Sequence, residues 1–595
     1  MPEGIPFILG HLHHFVIPPL TAYSLLNLFH ARLPFYVNTL LYFLSFIFYV
    51  ALRVAARWIK DVREMRRLGA QRAPRWIGKY PGNVDMIGLM LQEAKTGYVG
   101  DHLTKATNDI GSAFGINILG DFQMFTTNPE IVKIILATNF PGYEKGRRFK
   151  FNMRSVLGDG IFNSDGDIWK FHRSMARPFF SRERISDFEL FGRHADAAIS
   201  KLAARLSEGE AVDFQDLVSR FTLDSATEFL FGSCVHSLSN GLPYAHISPR
   251  YNSNAPSADT DAFATAFNNA LLTIITRGRI GLLWPLGEIF KDKTADDMKV
   301  IRAFIKPIVQ QAIAQKKENA KLESSSNTEH ASGKDEVAEG ETMLSHLVKS
   351  TEDEKILMDE TLNMLIAGRD TTAALLTFII YCLSRHPAVL QRLRQEILMH
   401  LGATRSPTPT DIREMRYLRA VINETLRLFP SVPFDVRRTI KATTWPSDVP
   451  GEKPYYVPAG ISVSYSAFIM QRSEKYWGPD ALEFDPDRFL DERVSKYITP
   501  NPYIFLPFNA GPRICIGQQF AYNEISFFLI RLLQSFDQIE LATDAQPLDS
   551  RPPAEWKQKT GRAAIEQFVP QTHLTMYAKG GLWVRMKTAS AIEDV

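Results

Sequence analysis

Cysteine is scarce. The 595 residues hold three, Cys234, Cys382 and Cys515. An odd, scattered set excludes a disulfide framework and points to a reducing compartment. Net charge is nearly absent as well: 68 basic against 65 acidic residues leave +3. Charge therefore gives no hold on nucleic acid, and none is expected as a partner. Charge is also missing from Leu33 to Leu52, whose polar residues are Asn38, Thr39 and Ser45. About 20 apolar residues match a bilayer core. Arg53, Arg57, Lys60, Arg63, Arg66 and Arg67 follow at once. A run of this length, with its basic residues behind it, is not a signal peptide. The positive-inside rule places the rest of the chain in the cytosol. Ile5 to Phe29 is apolar too, but Pro18-Pro19 divides it, so it is expected to be interfacial or re-entrant. His11, His13 and His14 lack acidic or cysteine partners there, which favours an interfacial role over a metal site. Residues 1–72 thus form a membrane-anchoring region with a transmembrane helix at about 33–52.

The body, 73–595, is 45% hydrophobic along with the rest of the chain, ample for a large core. Phe122 to Phe125 reads as a strand, and Thr127-Asn128-Pro129 as the cap of a helix over Glu130 to Ala137. Helices are expected at Ala262 to Ile275 and Thr294 to Lys316. A long one runs from about Asp353 to Arg385 and is ended by His386-Pro387. Ser237 to Asp259 reads as an inserted surface loop. Residues 317–341 are polar and poor in aromatics, and are expected to be disordered. Tyr455 to Tyr465 has strand character, and His573 to Met586 alternates as a hairpin would, its start reaching a pocket.

Cys515 stands in Phe508-Asn509-Ala510-Gly511-Pro512-Arg513-Ile514-Cys515-Ile516-Gly517, followed by a helical apolar pattern. A lone cysteine before a helix is usually a small buried hydrophobe. A helix start also offers free N–H groups and a positive dipole end, which favour a thiolate. Gly511 and Gly517 permit close backbone approach or positive φ. Arg513 can reach an anion beside the sulfur.

The ten-residue frame fits F-x-x-G-x-R-x-C-x-G at every fixed position and so resembles the haem-binding signature of the cytochrome P450 family. The resemblance covers about Ala73 to the C-terminus. It implies a fold that is mainly α with small β-sheets (α+β), one catalytic domain over 73–595, and haem b on the Cys515 thiolate. Phe508 and Arg513 would lie at the cofactor. Trp169 and Arg173 match W-x-x-x-R, and with Arg437 they would serve the haem propionates. Ala367-Gly368-Arg369-Asp370-Thr371-Thr372 is similar to A/G-G-x-D/E-T-T/S. By position, Thr371 would hydrogen-bond oxygen at the haem and Asp370 would relay protons. Ala367, where some relatives carry an esterifying glutamate, implies haem held without a covalent bond.

Glu424 and Arg427 give E-x-x-R, and Pro486-Asp487-Arg488-Phe489 gives P-x-R-F. The triad Glu424, Arg427 and Arg488 would clamp the fold behind the haem. Gln471 stands where many relatives have histidine. The stretch Lys145 to Asn163 would lie over the haem, with Arg147, Arg148, Lys150 and Arg154 able to meet a carboxylate or stay solvated. Lys170, Arg177, Arg182 and Arg184 would receive an acidic redox partner. Gln546 to Pro570 reads as an extended insertion.

The implied activity is insertion of one oxygen atom from dioxygen into a C–H bond of a hydrophobic substrate. Electrons would come from NADPH through NADPH–cytochrome P450 reductase, with cytochrome b5 as an optional donor. The implied location is the endoplasmic reticulum membrane, on a single-pass or two-segment anchor with a cytosolic catalytic domain. Ala367 to Ala373, Ser431-Val432-Pro433 and Trp477 to Ala481 are similar to fungal, basidiomycete-type alkane and fatty-acid hydroxylases. Oxidation of a terpenoid skeleton in secondary metabolism is the alternative. A P450 isomerase that needs no dioxygen is a weaker one, because Asp370-Thr371 argues against it.

Overall fold

The computed structural model describes residues 3–30, 33–180, 188–251, 258–325 and 341–589. The helix Glu354–Arg385 organises it. The Asp353 carboxylate accepts from the Lys355 and Ile356 N–H groups and starts the helix; His386-Pro387 ends it. Its 32 residues are apolar enough to cross a membrane, but 83% of the apolar window is buried, so it is the core helix. Leu375, Leu376, Phe378, Ile379 and Ile380 are shielded on all sides. Burial of each contributes about 1.5–3 kcal/mol. Helices Phe214–Phe231, Arg416–Leu428 and Gln518–Ser535 pack around it.

A six-stranded sheet carries the other half of the site. Its order is Arg75–Trp76, Ala113–Ile118, Asp121–Thr126, Ser462–Ser466, Phe434–Thr439, Tyr143–Glu144. Ser462–Ser466 runs antiparallel to Phe434–Thr439, setting Tyr465 opposite Asp435 and Val463 opposite Arg437. Asn128 caps Pro129–Lys133 by accepting from the Glu130 and Ile131 N–H groups, and a π-turn, Ile134–Thr138, completes the expected helix.

Two sequence expectations change in the β regions. Strands Tyr455–Val457 and Ser462–Ser466 belong to different sheets, because the turn at Pro458-Ala459-Gly460 redirects the chain. Nor do Met576–Ala578 and Trp583–Thr588 pair with each other. The first pairs with Pro570–Thr572 and the second with Phe536–Leu541. Gly580 and Gly581, with φ of 71° and 85°, turn the chain away, and the Leu582 N–H donates to Asp213. Residues 317–325 end the helix Ala295–Ser325; the rest of the polar stretch up to 340 lies outside the described residues. Ser237 to Tyr251 is short 3₁₀ and turn structure, and helix begins at Ala258.

The N-terminal segment holds two helices. Gly4–Leu28 is one helix with Pro18 and Pro19 inside it. Phe35–Arg67 is a second helix, long and apolar enough to cross a membrane, and none of its apolar window is buried. The two pack as an antiparallel hairpin. His14 Nδ1 lies 2.9 Å from the Tyr49 hydroxyl, and the Phe15 and Phe46 rings stack at 5.5 Å. Pro18 and Pro19 leave the His14 and Phe15 carbonyls without their i+4 N–H donors, and three residues on the Thr21 hydroxyl donates back to Ile17 O at 2.8 Å.

Candidate active site

A cavity of about 700 Å³ has both Cys515 and Thr371 in its wall. Cys515 is exposed, yet burial pushes its thiol up. Both hold because the sulfur faces this interior space while protein surrounds it on the other sides. The Gly517 N–H and the Arg173 charge act the other way and favour the thiolate. The remaining cysteines have no such setting: burial holds Cys234 at about 11 and Cys382 far above the usual range. The loop is fixed by backbone. Cys515 N–H donates to Phe508 O, and Ile514 N–H to Gly511 O, both at 3.0 Å. Gly511 has φ of 68°, and a Cβ there would stand 1.8 Å from Leu136 O, so only glycine fits. Gly517 is different: its φ is −89° and a Cβ would make ordinary contact with Phe180. Phe508 lines the cavity and packs its ring 5.1 Å from Tyr522.

Trp169, Arg173, Arg437 and Arg513 all reach this wall. The helix Gly166–Ala176 presents the first two on one face, with Arg173 5.9 Å from the Trp169 ring. Arg513 lies 4.5 Å over the same ring and donates to Asp165 and the Ser164 carbonyl, both at 2.9 Å. Arg437 and Lys145 share Asp435, at 2.8 and 2.7 Å. Burial pulls Arg513 down to about 10 and Lys145 to about 8. The two cations on Asp435 hold its carboxyl far below the usual range against the opposing effect of burial. Lys150 also reaches Asp165, at 3.3 Å. Lys145, Lys150, Arg437 and Arg513 thus share two carboxylates, and Arg173 adds a fifth positive charge beside Cys515. A dianionic group with one open face for a thiolate matches this excess, and haem with its two propionates is such a group. The residues fit it.

Thr371 lines the cavity, and its hydroxyl donates to Ala367 O at 2.7 Å. The Ser431 hydroxyl donates to Thr371 O at 2.9 Å. Asp370 is buried beside the cavity rather than in its wall. It pairs with Arg369 at 3.0 Å, and its Oδ2 has no hydrogen-bond partner. His573, in the cavity wall, lies within the electric field of Asp370 and Arg369.

Glu424, Arg427 and Arg488 are joined and fully buried. Glu424 accepts from Arg427 at 2.7 and 2.8 Å and from Arg488 at 3.5 Å. Arg427 also donates to the carbonyls of Gln471, Ala481 and Glu483, and Arg488 to Trp477 O and Asp480. Gln471 proves to be a strut. Its amide donates to Leu426 O and Arg427 O at 3.0 Å, and its oxygen accepts the Leu506 N–H at 2.8 Å. It therefore ties the clamp helix to the segment that leads into the Cys515 frame. Sequence reading also missed Lys145, Asp165 and Asp435 as one charge network; Lys145 stands in a stretch it had marked, and Asp165 just outside it. Arg182 and Arg184 lie outside the described residues; Arg173, Arg177, Pro178, Phe180 and Ile516 line a neighbouring recess.

The family model described as Cytochrome P450 matches residues 79–561. Cytochrome P450 52A13 of Debaryomyces hansenii is 35% identical over 515 residues, covering 85% of this chain and 89% of the relative. Cytochrome P450 52A10 of Candida maltosa is 37% identical over 475 residues, 78% of this chain and 83% of the relative. Cytochrome P450 monooxygenase himC of Aspergillus japonicus is 36% identical over 483 residues, 81% and 77% of the two chains. The chain therefore belongs to the cytochrome P450 family, as a haem-thiolate monooxygenase supplied with electrons from NADPH through a reductase.

Proposed function

We propose that this monooxygenase hydroxylates a long apolar chain, a fatty acid or alkane, at or near its terminus. The observation that carries the reading is the cavity, which joins Cys515 and Thr371 to a wall of Met90, Leu103, Phe149, Met153 and Leu574. Such a wall holds an extended chain by dispersion and water exclusion, and few polar groups fix its direction. The motifs Ala367 to Ala373 and Ser431-Val432-Pro433, similar to those of fungal alkane and fatty-acid hydroxylases, support the same substrate class.

In this reading the Cys515 thiolate would hold the haem iron. Trp169, Arg173, Arg437 and Arg513 hold the propionates, Phe508 packs at the cofactor edge, and no residue bonds the macrocycle covalently. Bound haem supplies dioxygen activation, one oxygen atom entering a C–H bond and the other leaving as water. The chain's own residues do the rest. Thr371, whose hydroxyl is already held by Ala367 O, offers an oriented donor at the cavity. Asp370 and Arg369 form a buried charged pair behind it, through which protons reach that donor. Glu424, Arg427 and Arg488 keep the cysteine loop in register with the core. Arg173 and Arg177, beside Ile516, offer positive charge to an acidic reductase domain, NADPH–cytochrome P450 reductase, with cytochrome b5 as a further donor. Residues 1–72 anchor the protein in the endoplasmic reticulum membrane as two segments, with the domain 73–595 in the cytosol.

Binding difference spectra of the holoenzyme with fatty acids, alkanes and terpenes test the substrate class. Spectral binding of fatty acids or alkanes is expected; binding confined to terpenes would replace the reading with the secondary-metabolite one. Cys515→Ala is expected to abolish the thiolate-type band of the reduced carbon monoxide complex, and an unchanged band would reassign the ligand.

A further inference from the structure

The cations of the cavity wall are not all accounted for. Lys145 and Arg437 share Asp435, Arg148 holds Asp121, Arg438 holds Glu144 and Arg513 holds Asp165. Among the described residues, two cavity arginines have no carboxylate: Arg173, in the field of Cys515, and Arg279. The first belongs to the haem end. The second stands on another helix.

Arg279 stands in the last turn of the helix Ala258–Ile280. Its Nη2 donates to the Thr572 carbonyl at 2.8 Å and the Thr572 hydroxyl at 2.9 Å. Both acceptors are neutral, and they engage one nitrogen of a guanidinium that carries five N–H donors. The Tyr577 phenol and, more weakly, the Glu93 carboxylate lie in its field, and the oxygens of Glu93 are already engaged. They accept from the Gly100 N–H at 2.7 Å, the His102 N–H at 3.1 Å and His102 Nδ1 at 2.6 Å. Arg277, two residues earlier, shows the contrast: it is fully buried and neutralised by Glu288 and Asp292 at 2.7 and 2.6 Å. One turn of helix thus supplies a paired arginine to the core and an unpaired one to the cavity. A charge in a largely apolar wall is costly without a counter-ion. A neutral ligand filling the cavity would leave this charge without a solvating or neutralising partner.

We propose that Arg279 is the head-group site of the substrate pocket and takes the carboxylate of a long-chain acid. The planar guanidinium suits a carboxylate bidentately. An acid held there points its apolar end along the cavity towards Thr371 and Cys515, so oxidation falls at the end remote from the carboxylate. The pocket then selects acids over alkanes and over neutral terpenes. The proposal rests on the cavity being the substrate pocket of a hydroxylase.

The helix C-terminus and the Thr572 carbonyl would by themselves favour a cation at this position. The test must therefore separate ligand binding from support of the fold. Binding difference spectra of wild-type, Arg279→Gln and Arg279→Lys holoenzymes would be recorded with hexadecanoic acid, 1-hexadecanol and hexadecane. Loss of one charge-assisted contact is expected to weaken the acid by about tenfold or more in Arg279→Gln. The alcohol and alkane should stay within about twofold, and Arg279→Lys should recover part of the acid affinity. In turnover, the position of hydroxylation on the acid should scatter in Arg279→Gln. Unchanged acid affinity, or equal weakening of acid and alcohol, would overturn the head-group role and leave the hydroxylase reading intact. Failure of all three chains to bind wild type would overturn the hydroxylase reading itself.

Discussion

Thr371 makes two roles compete at one side chain. Its hydroxyl donates to Ala367 O, a back-bond that any helical threonine can make. It also stands in the cavity wall beside the buried Arg369–Asp370 pair. Thr371→Ala should leave the haem and the carbon monoxide spectrum intact, since it touches none of the holding residues. Product formed per electron should fall about tenfold or more, with the balance released as peroxide. Full coupling in the variant would leave the hydroxyl with only its helix role. Glu524 offers a different residue-level test. It is buried in the helix Gln518–Ser535, takes a 2.6 Å bond from the Ser225 hydroxyl, and burial raises its carboxyl to about 7. The folded state therefore keeps a proton that the unfolded chain gives up near 4.5. Stability from this group is complete below about pH 4.5 and declines as pH rises to 7. The loss is about 3 kcal/mol above that. Glu524→Gln removes the titration. The variant's thermal midpoint should gain on wild type steadily between pH 5 and 7, and a difference flat with pH would contradict the assignment. Asp213, also raised to about 7, titrates in both proteins and cancels from the difference.

At the scale of elements, the site is held by connections between segments far apart in the chain, and this divides what the sequence reveals from what it hides. The Cys515 frame is ten consecutive residues whose spacing is itself the signal. Glu424 and Arg427 are one helical step apart, and Arg488 stands in a short motif of its own. Gln471 gives no such signal. Its three partners, Leu426 O, Arg427 O and the Leu506 N–H, are backbone groups of two other elements. Backbone partners leave no trace in residue type, so the departure from histidine says nothing of the three bonds that Gln471 makes. The same holds for Arg279, whose significance is the lack of a carboxylate, visible only once every neighbour is placed. Alternation likewise marked the strands of 573–586 but could not say that Gly580-Gly581 sends them to different sheets. Gln471→Ala should leave three buried backbone groups without partners, destabilising the fold by about 1–3 kcal/mol for each uncompensated group. Because one of them precedes the cysteine loop, haem transfer to apomyoglobin should speed up in the variant. Gln471→His, which restores a donor and an acceptor, should recover part of the retention. An unchanged transfer rate in Gln471→Ala would mean that the strut does not support the loop.

At the scale of the whole molecule, Glu3 and Gly4 sit against the catalytic domain. Gly4 is buried, and a Cβ there would stand 2.5 Å from the Ile289 Cα and 2.6 Å from Pro285 O. The Glu3 carboxylate pairs with Arg154, on the helix Gly146–Leu157 that lines the substrate cavity. From Glu3 the chain thus leaves the catalytic domain along Gly4–Leu28 and returns along Phe35–Arg67. The pairing of His14 with Tyr49 and Arg53 sets the register. It aligns the section of the first helix beyond His14 with the apolar section of the second, and the stretch before it with the basic section after Arg53. A bilayer around the apolar section of one helix therefore also surrounds the other. Both chain ends of the hairpin lie on the side of the catalytic domain, and the link after Leu28 lies on the opposite side. A single-pass anchor would put residue 3 across the membrane from Arg154 and break that contact. Glycosylation acceptors on short flexible linkers distinguish the two, one placed ahead of Glu3 and one after His30. In microsomes the acceptor after His30 should be glycosylated and the N-terminal one should not. Glycosylation of the N-terminal acceptor would show that the first helix does not return to the domain. In that case Glu3→Ala and Arg154→Ala should also leave substrate affinity unchanged, because the hairpin would no longer bear on the helix above the cavity.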